Sequence, residues 1–203
     1  MGSETMTKLL PATLLLLASS IASAQPSINA STAVKPEGRD SVNLSPLGLI
    51  FGDVDLSYEH LFDGGKGIIV EAGGGRGGSS DARDTHGSMA VGYRWHWQKK
   101  QNSGFLGITL TQGFGSASVA DDTGMSYDMT TRSTMLTGNI GKRWMLGDSN
   151  WNITLRFGLG WGHHTVQAKE TSSGAKMAEQ KLNDALTHVP VGVEGELSIG
   201  YVF

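Results

Sequence analysis

WNITLRFGLGWG, residues 151 to 162, carries the pattern from which the fold follows. Trp151, Ile153, Leu155, Phe157, Leu159 and Trp161 take every second position, with Asn152, Thr154, Arg156, Gly158, Gly160 and Gly162 between them. Successive side chains of an extended chain point to opposite faces, so this period of two predicts a strand with one apolar face and one small or polar face. The apolar face begins and ends on tryptophan.

The same pattern recurs on both sides of this stretch. Met89, Val91, Tyr93, Trp95 and Trp97 alternate with Ala90, Gly92, Arg94, His96 and Gln98. Val191, Val193, Leu197, Ile199, Tyr201 and Phe203 alternate with Gly192, Glu194, Glu196, Ser198 and Gly200. Weaker versions run through Val54 to Phe62, Ile68 to Ala72, Leu106 to Phe114 and Leu136 to Trp144. A further strand is expected over residues 42 to 51, although Pro46 and the run from Leu47 to Phe51 blur its alternation. The count predicts eight strands.

A soluble β-sandwich also alternates apolar and polar residues. Strands of about ten residues, each with a continuous apolar face, and no run of helices to cover an open sheet favour a closed barrel. The links favour it too, being alternately short (62 to 66, 98 to 103, 146 to 150) and long (74 to 85, 115 to 128, 166 to 188). A tight turn is expected near Gly52 and Asp53. The expectation is an all-β, eight-stranded antiparallel up-and-down transmembrane β-barrel with short periplasmic turns and long outer loops.

Composition narrows the function. Of 203 residues 29 are glycine and 5 proline, without a Gly-X-Y period, which excludes collagen. There is no cysteine, so disulfide scaffolds and thiolate metal sites are excluded. With 16 Lys and Arg against 19 Asp and Glu the chain shows no basic footprint for nucleic acid. Lys8, the apolar run from Leu9 to Leu17 and the triplet Ala22-Ser23-Ala24 read as a signal peptide over residues 1–24, cleaved after Ala24. The run is too short for a spanning helix, which needs about 20 apolar residues. Translation starts at Met1 or Met6. Residues 25–40, QPSINASTAVKPEGRD, read as a polar tail, and residues 41–203 as the barrel.

Together the signal peptide, strand pattern, loop alternation and the ending Leu197-Ser198-Ile199-Gly200-Tyr201-Val202-Phe203 resemble the small eight-stranded bacterial outer-membrane barrels of the OmpA and OmpX type, over residues 41 to 203. The stretch SPLGLIFGDVDLSYEHLF is similar to the opening hairpin of an uncharacterised group within that class. The resemblance implies location in the cell outer membrane, contact with lipid and lipopolysaccharide, delivery by the barrel-assembly machinery through the C-terminal strand, and a monomer. It brings no catalytic residue and no cofactor.

Parity assigns Glu59, Glu71, Arg94, His96, Arg143, Arg156, Glu194 and Glu196 to the inward face. Charges in a narrow interior must pair or meet water, so an acid-base network that plugs the barrel is expected, with a proton or small-ion path along it as the alternative. Tyr93, Trp95, Trp97, Trp144, Trp151, Trp161, Tyr201 and Phe203 are expected at the membrane interfaces.

Other groups carry weaker chemistry. His163 and His164, with His86 and His188 near loop edges, raise a lipid A acyl hydrolase, but no serine stands in a compact pattern with them. Adjacent histidines at a strand end also lack a third metal ligand. Residues 73 to 78, GGGRGG, lack the Gly-Lys-Ser/Thr ending of a phosphate loop and read as a flexible surface loop. Asp81, Asp84, Asp121 and Asp122 could hold calcium or magnesium, and Arg76, Arg83 and Lys169 could contact lipopolysaccharide phosphates; neither set has a liganding order. Ala178, Leu182, Ala185 and Leu186 form a helical stripe that Ser172 or Ser173 could cap, packed on the barrel rim or offered to a partner. The expected role is non-enzymatic, structural or surface-interactive. Passive transport of small or hydrophobic solutes, through the lumen or a lateral gap, is the first alternative.

Overall fold

The computed structural model describes residues 38–46, 49, 52–79, 82–120, 125–187 and 191–203. The expected signal peptide and the tail as far as residue 37 lie outside the described residues. Eight strands follow one another: β1 (Asp40–Leu44), β2 (Asp53–Leu61), β3 (Lys66–Ser79), β4 (Ala82–His96), β5 (Gly104–Ala120), β6 (Ser126–Met145), β7 (Trp151–Ala168) and β8 (Val191–Val202). Each pairs antiparallel with the next and β8 pairs with β1, closing an all-β barrel. One helix, α1 (Ser173–Thr187), interrupts the last link.

The register fixes the shape. Followed once round, Val42 lies opposite Tyr58, then Val70, Val91, Leu110, Leu136, Trp161 and Val191. The β8–β1 register would carry Val191 to position 52, a displacement of ten residues for eight strands. With strands about 4.8 Å apart and a rise of about 3.4 Å per residue, that displacement requires a tilt of roughly 40° and a radius of roughly 8 Å. Side chains alone can fill such a lumen.

Side-chain direction follows parity around the whole wall. Outward stand Val42, Tyr58, Val70, Val91, Leu110, Leu136, Leu159 and Ile199, all exposed, while Glu59, Arg94, Arg143, Thr154 and Ser198 are buried inside. The barrel is thus inverted relative to a globular core, apolar outside and polar within. Tyr93, Trp95, Trp97, Trp151, Trp161, Tyr201 and Phe203 are exposed on the outer surface, and Trp144 is partly so, with Lys142 over its ring at 5.3 Å. Inward glycines keep the lumen passable for the larger side chains: a Cβ on Gly92 would press on Ile69 and Thr109, and one on Gly192 on the Met135 sulfur.

One end carries the links expected to be short, at residues 62–65, 97–103 and 146–150, but two links of the other end, 80–81 and 121–125, are no longer than these, so the expected alternation of short and long links does not hold. Gly65, at φ 82° beneath the His96 carbonyl, makes the first of these turns possible. At the other end three expectations are corrected. The ladder continues from Gly73 to Ser79 and from Gly115 to Ala120, so those links shrink to residues 80–81 and 121–125, and residues 73 to 78 are strand, not loop. Pairing uses backbone groups, which glycine, serine and threonine supply as well as valine does, so the ladder outlasts the apolar period. The first strand ends at Leu44 instead of residue 51, because Pro46 has no N–H for the ladder and continued parity would turn Leu47, Leu49 and Phe51 into the lumen beside Glu194 and Glu196. The link to β2 therefore occupies residues 45–52, with Pro46 and Leu49 helical and Gly52 at φ 88°.

Helix α1 fills the longest link, residues 169–190. Ser172 caps it, its Oγ accepting from the Ala175 N–H at 3.2 Å. Ala178, Leu182 and Leu186 pack with Ala175 against the inward residues Tyr127, Met129 and Val166, while Ala185 stays exposed, so the apolar stripe begins one turn earlier than its sequence reading. Strand β7 overshoots β8 here, leaving backbone groups at Val166 and Ala168 without a strand partner. Asn183 accepts from the Val166 N–H and donates to its carbonyl, both at 2.9 Å, and Glu179 accepts from the Ala168 N–H at 3.0 Å. Four helical residues rise about 6 Å and two strand residues about 6.8 Å, so an i, i+4 pair matches alternate strand positions.

Candidate functional site

Among the described residues the lumen gathers most of the buried charge, and it is built as two hubs of opposite sign. Glu59, on β2 and 1% exposed, is the negative hub toward the short-turn end. Its Oε2 accepts from Arg143 at 2.8 Å and from Arg94 at 3.2 Å, and its Oε1 lies 2.7 Å from His96 Nε2. Arg156, on β7, is the positive hub above it. Its guanidinium meets Glu71 at 2.9 Å, Glu194 at 2.6 Å and Glu196 at 3.0 Å. Arg94 joins the hubs, reaching Glu196 at 3.2 Å and Glu71 at 3.6 Å, with its guanidinium carbon 4.4 Å from the Phe105 ring centre. Glu59, Glu71, Arg94, His96, Arg143, Arg156, Glu194 and Glu196, the eight charged or titratable side chains expected in an inward network, all meet in it.

Neutral groups add further hydrogen bonds. Thr137 donates to Glu194 at 2.5 Å and Ser198 to Glu196 at 2.6 Å. Arg143 also donates to Thr154 at 3.1 Å and to the Gln101 side-chain carbonyl. Gln101 in turn donates to the Arg39 carbonyl at 3.0 Å, and Ser103 lies 2.9 Å from His96 Nδ1. Gln101 and Ser103 belong to the link between β4 and β5, yet both are buried, because that link folds back under the barrel and closes it. Sequence reading passed over them, since a turn carries no period and its polar residues ordinarily face water. Four carboxylates against three guanidiniums and an imidazole leave little net charge, the condition under which a confined network can form.

Two further lumenal spaces lie above the plug. A cavity of about 200 Å³ is lined by Ser45, Asp55, Ser57, Glu71, Arg156, Glu194, Glu196 and Ser198, among others. A second, of about 360 Å³, lies under α1, with His86, Thr131, Ser133, His164, Val166 and Leu186 on its walls. His86 meets Asp53 at 3.0 Å and Asp84 at 3.7 Å. His163 faces outward, its Nε2 3.4 Å from Thr165 Oγ1, while its neighbour His164 turns into the lumen, so the adjacent pair is split across the wall. His188, Asp81, Asp121 and Asp122, and the side chain of Arg83, lie outside the described residues. Among the described residues no three of His, Cys, Asp or Glu are grouped to hold a metal ion.

A polar cluster absent from the sequence reading sits outside, at the short-turn rim. Asp40 Oδ1 accepts from Tyr58 at 2.5 Å and lies 2.7 Å from His60 Nδ1, with the His60 ring edge-on to Phe62 at 4.6 Å. Residues 58 and 60 share a face by parity, but their meeting with Asp40 depends on the β1–β2 register. Arg39 pairs with Asp63 at 2.8 Å beside it.

This geometry defines a closed eight-stranded antiparallel β-barrel with a polar, ion-paired lumen and an apolar outer wall. No protein-family model matches the chain, and no curated protein shows significant sequence similarity to it.

Proposed function

We propose that the protein is a non-enzymatic barrel of the bacterial outer membrane, of the OmpA and OmpX type, exported by its signal peptide and acting through the end that carries α1 in membrane integrity or surface contact. One observation carries the reading: the outward apolar belt has the height of a bilayer. From Trp151 to Trp161 the face takes ten residue steps, which at about 3.4 Å each and a tilt of roughly 40° project to roughly 25 Å, the height of the apolar band of such barrels. Beyond Trp161 the outward positions of the same wall turn polar, with His163, Thr165 and Gln167 on β7 beside Arg132, Thr130 and Asp128 on β6. In water such a belt would be an aggregation surface far above the patch a soluble monomer exposes.

The ion-paired plug supports a static role over a pore, since Glu59, Arg94, His96 and Arg143 fill the lumen at 0–1% exposure. Partners on this reading are outer-membrane lipid, lipopolysaccharide phosphates reached from Arg76, Arg132 and Lys169, and the barrel-assembly machinery through the strand ending Tyr201-Val202-Phe203; the protein is a monomer. Protease shaving of intact cells tests it, with folding followed as the mobility difference between unheated and boiled protein. Cuts at Lys169, Lys176 or Lys181 and none at Lys99 or Lys100 are expected. Cuts at Lys99 or Lys100 alone would invert the topology, and mobility unchanged by heat would overturn the membrane reading.

A further inference from the structure

Lys142 points out of the barrel into the apolar belt. Among the described residues it is the only charged one on the outward face of β5, β6 and β7 between the levels of Trp151 and Trp161; the outward positions from Leu106 to Leu110, Leu136 to Ile140 and Ile153 to Leu159 are otherwise aliphatic, aromatic or glycine. Its register partner on β7 is Leu155, four residues inside the Trp151 end of the face. A lysine costs more the deeper its charge lies in lipid, so the ammonium has to be carried toward the head groups. The side chain does this by lying along its own strand, with Nζ 5.3 Å from the centre of the Trp144 ring, two residues nearer the short-turn end. Among the described residues no acid pairs with it.

The surface around this ammonium is shaped by two outward glycines. Gly104 is the partner of Lys142 on β5, and a Cβ there would run into the Trp97 ring, so that ring occupies the space beside Lys142 which a side chain would otherwise fill. Lys142 is thus set between two indoles, Trp97 and Trp144, and neither indole N–H donates to a group among the described residues. Gly138 lies four residues farther up the same face of β6, about 14 Å along the strand. Nothing lies within 4 Å of where its Cβ would stand, and its register partners Ile108 and Leu159 rise on either side, 49% and 54% exposed. An apolar trough therefore leads from the cation toward the middle of the belt.

We propose that Lys142, Trp97 and Trp144 hold the phosphodiester of an anionic glycerophospholipid in the leaflet at the short-turn end, with one acyl chain lying in the trough over Gly138. The ammonium pairs with a phosphate oxygen, and the two indole N–H groups supply further donors at the same level. Charge selects the occupant: the site offers one cation and no acid on the outward face of these strands within the belt, so a head group with net negative charge is preferred to one that carries its own ammonium. Lipopolysaccharide lies in the opposite leaflet on the membrane reading, on which this inference rests.

Indole N–H resonances of the folded protein in phosphatidylcholine nanodiscs test it, with phosphatidylglycerol of the same chains added at rising mole fraction and Trp161, at the opposite rim, as control. Trp97 and Trp144 should shift saturably, whereas Trp161 should not saturate. Lys142→Gln should weaken the half-saturation about fivefold or more, and Lys142→Arg should keep it within about twofold. Gly138→Leu fills the trough from outside the barrel with Lys142 in place and should weaken it about threefold. Shifts that rise linearly with surface charge, saturation at Trp161 equal to that at Trp97, or an unchanged Lys142→Gln titration would reduce Lys142 to an interface anchor and overturn the site. An unchanged Gly138→Leu titration would overturn the seated chain. Insertion into nanodiscs without saturable shifts defeats the lipid site alone, whereas failure to insert defeats the membrane reading and the site together.

Discussion

Replacing Arg156 by methionine keeps most of the side-chain volume on the inner face of β7 and removes the positive hub. Glu71, Glu194 and Glu196, all within 3.0 Å of that guanidinium and largely buried, would then face one another with Arg94 as the nearest cation. Breaking a buried ionic cluster by removing one partner costs about 3–5 kcal/mol, most of it the penalty of leaving opposing charges unpaired. A protein of this size unfolds with a urea dependence of about 2 kcal/mol per molar. The midpoint of Arg156→Met should therefore fall by roughly 1.5–2.5 M with its slope unchanged. The readout is urea unfolding in phosphatidylcholine vesicles, followed by tryptophan emission and by heat-dependent gel mobility. Adding Glu194→Gln to Arg156→Met removes one of the stranded carboxylates and should recover part of the loss, a coupling of about 0.5–3 kcal/mol. A midpoint within about 0.3 M of the parent, or a double variant no more stable than the single, would refute the argument that the network holds the lumen together.

Two other perturbations probe separate parts of the fold. Gly160→Ala should destabilise strongly, because a Cβ there runs into the Leu136 carbonyl and Thr137, whereas Gly138→Ala meets nothing within 4 Å and should leave the urea midpoint within about 0.3 M of the parent. The double change Asn183→Ala, Glu179→Ala strips the free edge of β7 of its helical partners; limited trypsinolysis at Lys176 and Lys181 should accelerate severalfold while the urea midpoint of the barrel barely moves, and equal rates would show that apolar packing alone holds α1.

Much of this architecture was legible in the chain because a strand wall with unlike faces writes a period of two. Trp151 to Trp161 announced the outer face, and the same parity put Glu59, Arg94, Arg143, Arg156 and Glu196 inside without any knowledge of their partners. The limits of the ladder were not legible. Gly73 to Ser79 looks like a loop because it has no apolar side chains to alternate, yet it pairs residue by residue with Ala82 to Ser88. Gln101 and Ser103 gave no signal, since their burial comes from a link folding back beneath the barrel.

By itself the sequence determined the class of structure: which side chains face out, which face in, and that the inward charges must answer one another. Those are properties of neighbours along the chain, and parity transmits them directly. Only the tertiary structure decided which charges meet, because Arg156 and Glu71 are 85 residues apart and come together only through the accumulated register of several strand pairs. It alone decided that β1 stops at Leu44 while β8 runs on, and that Asn183 and Glu179 stand in where a strand is missing. Closure is the physical reason: the ten-residue displacement around the ring is shared by all eight strands, and no single stretch of sequence contains it.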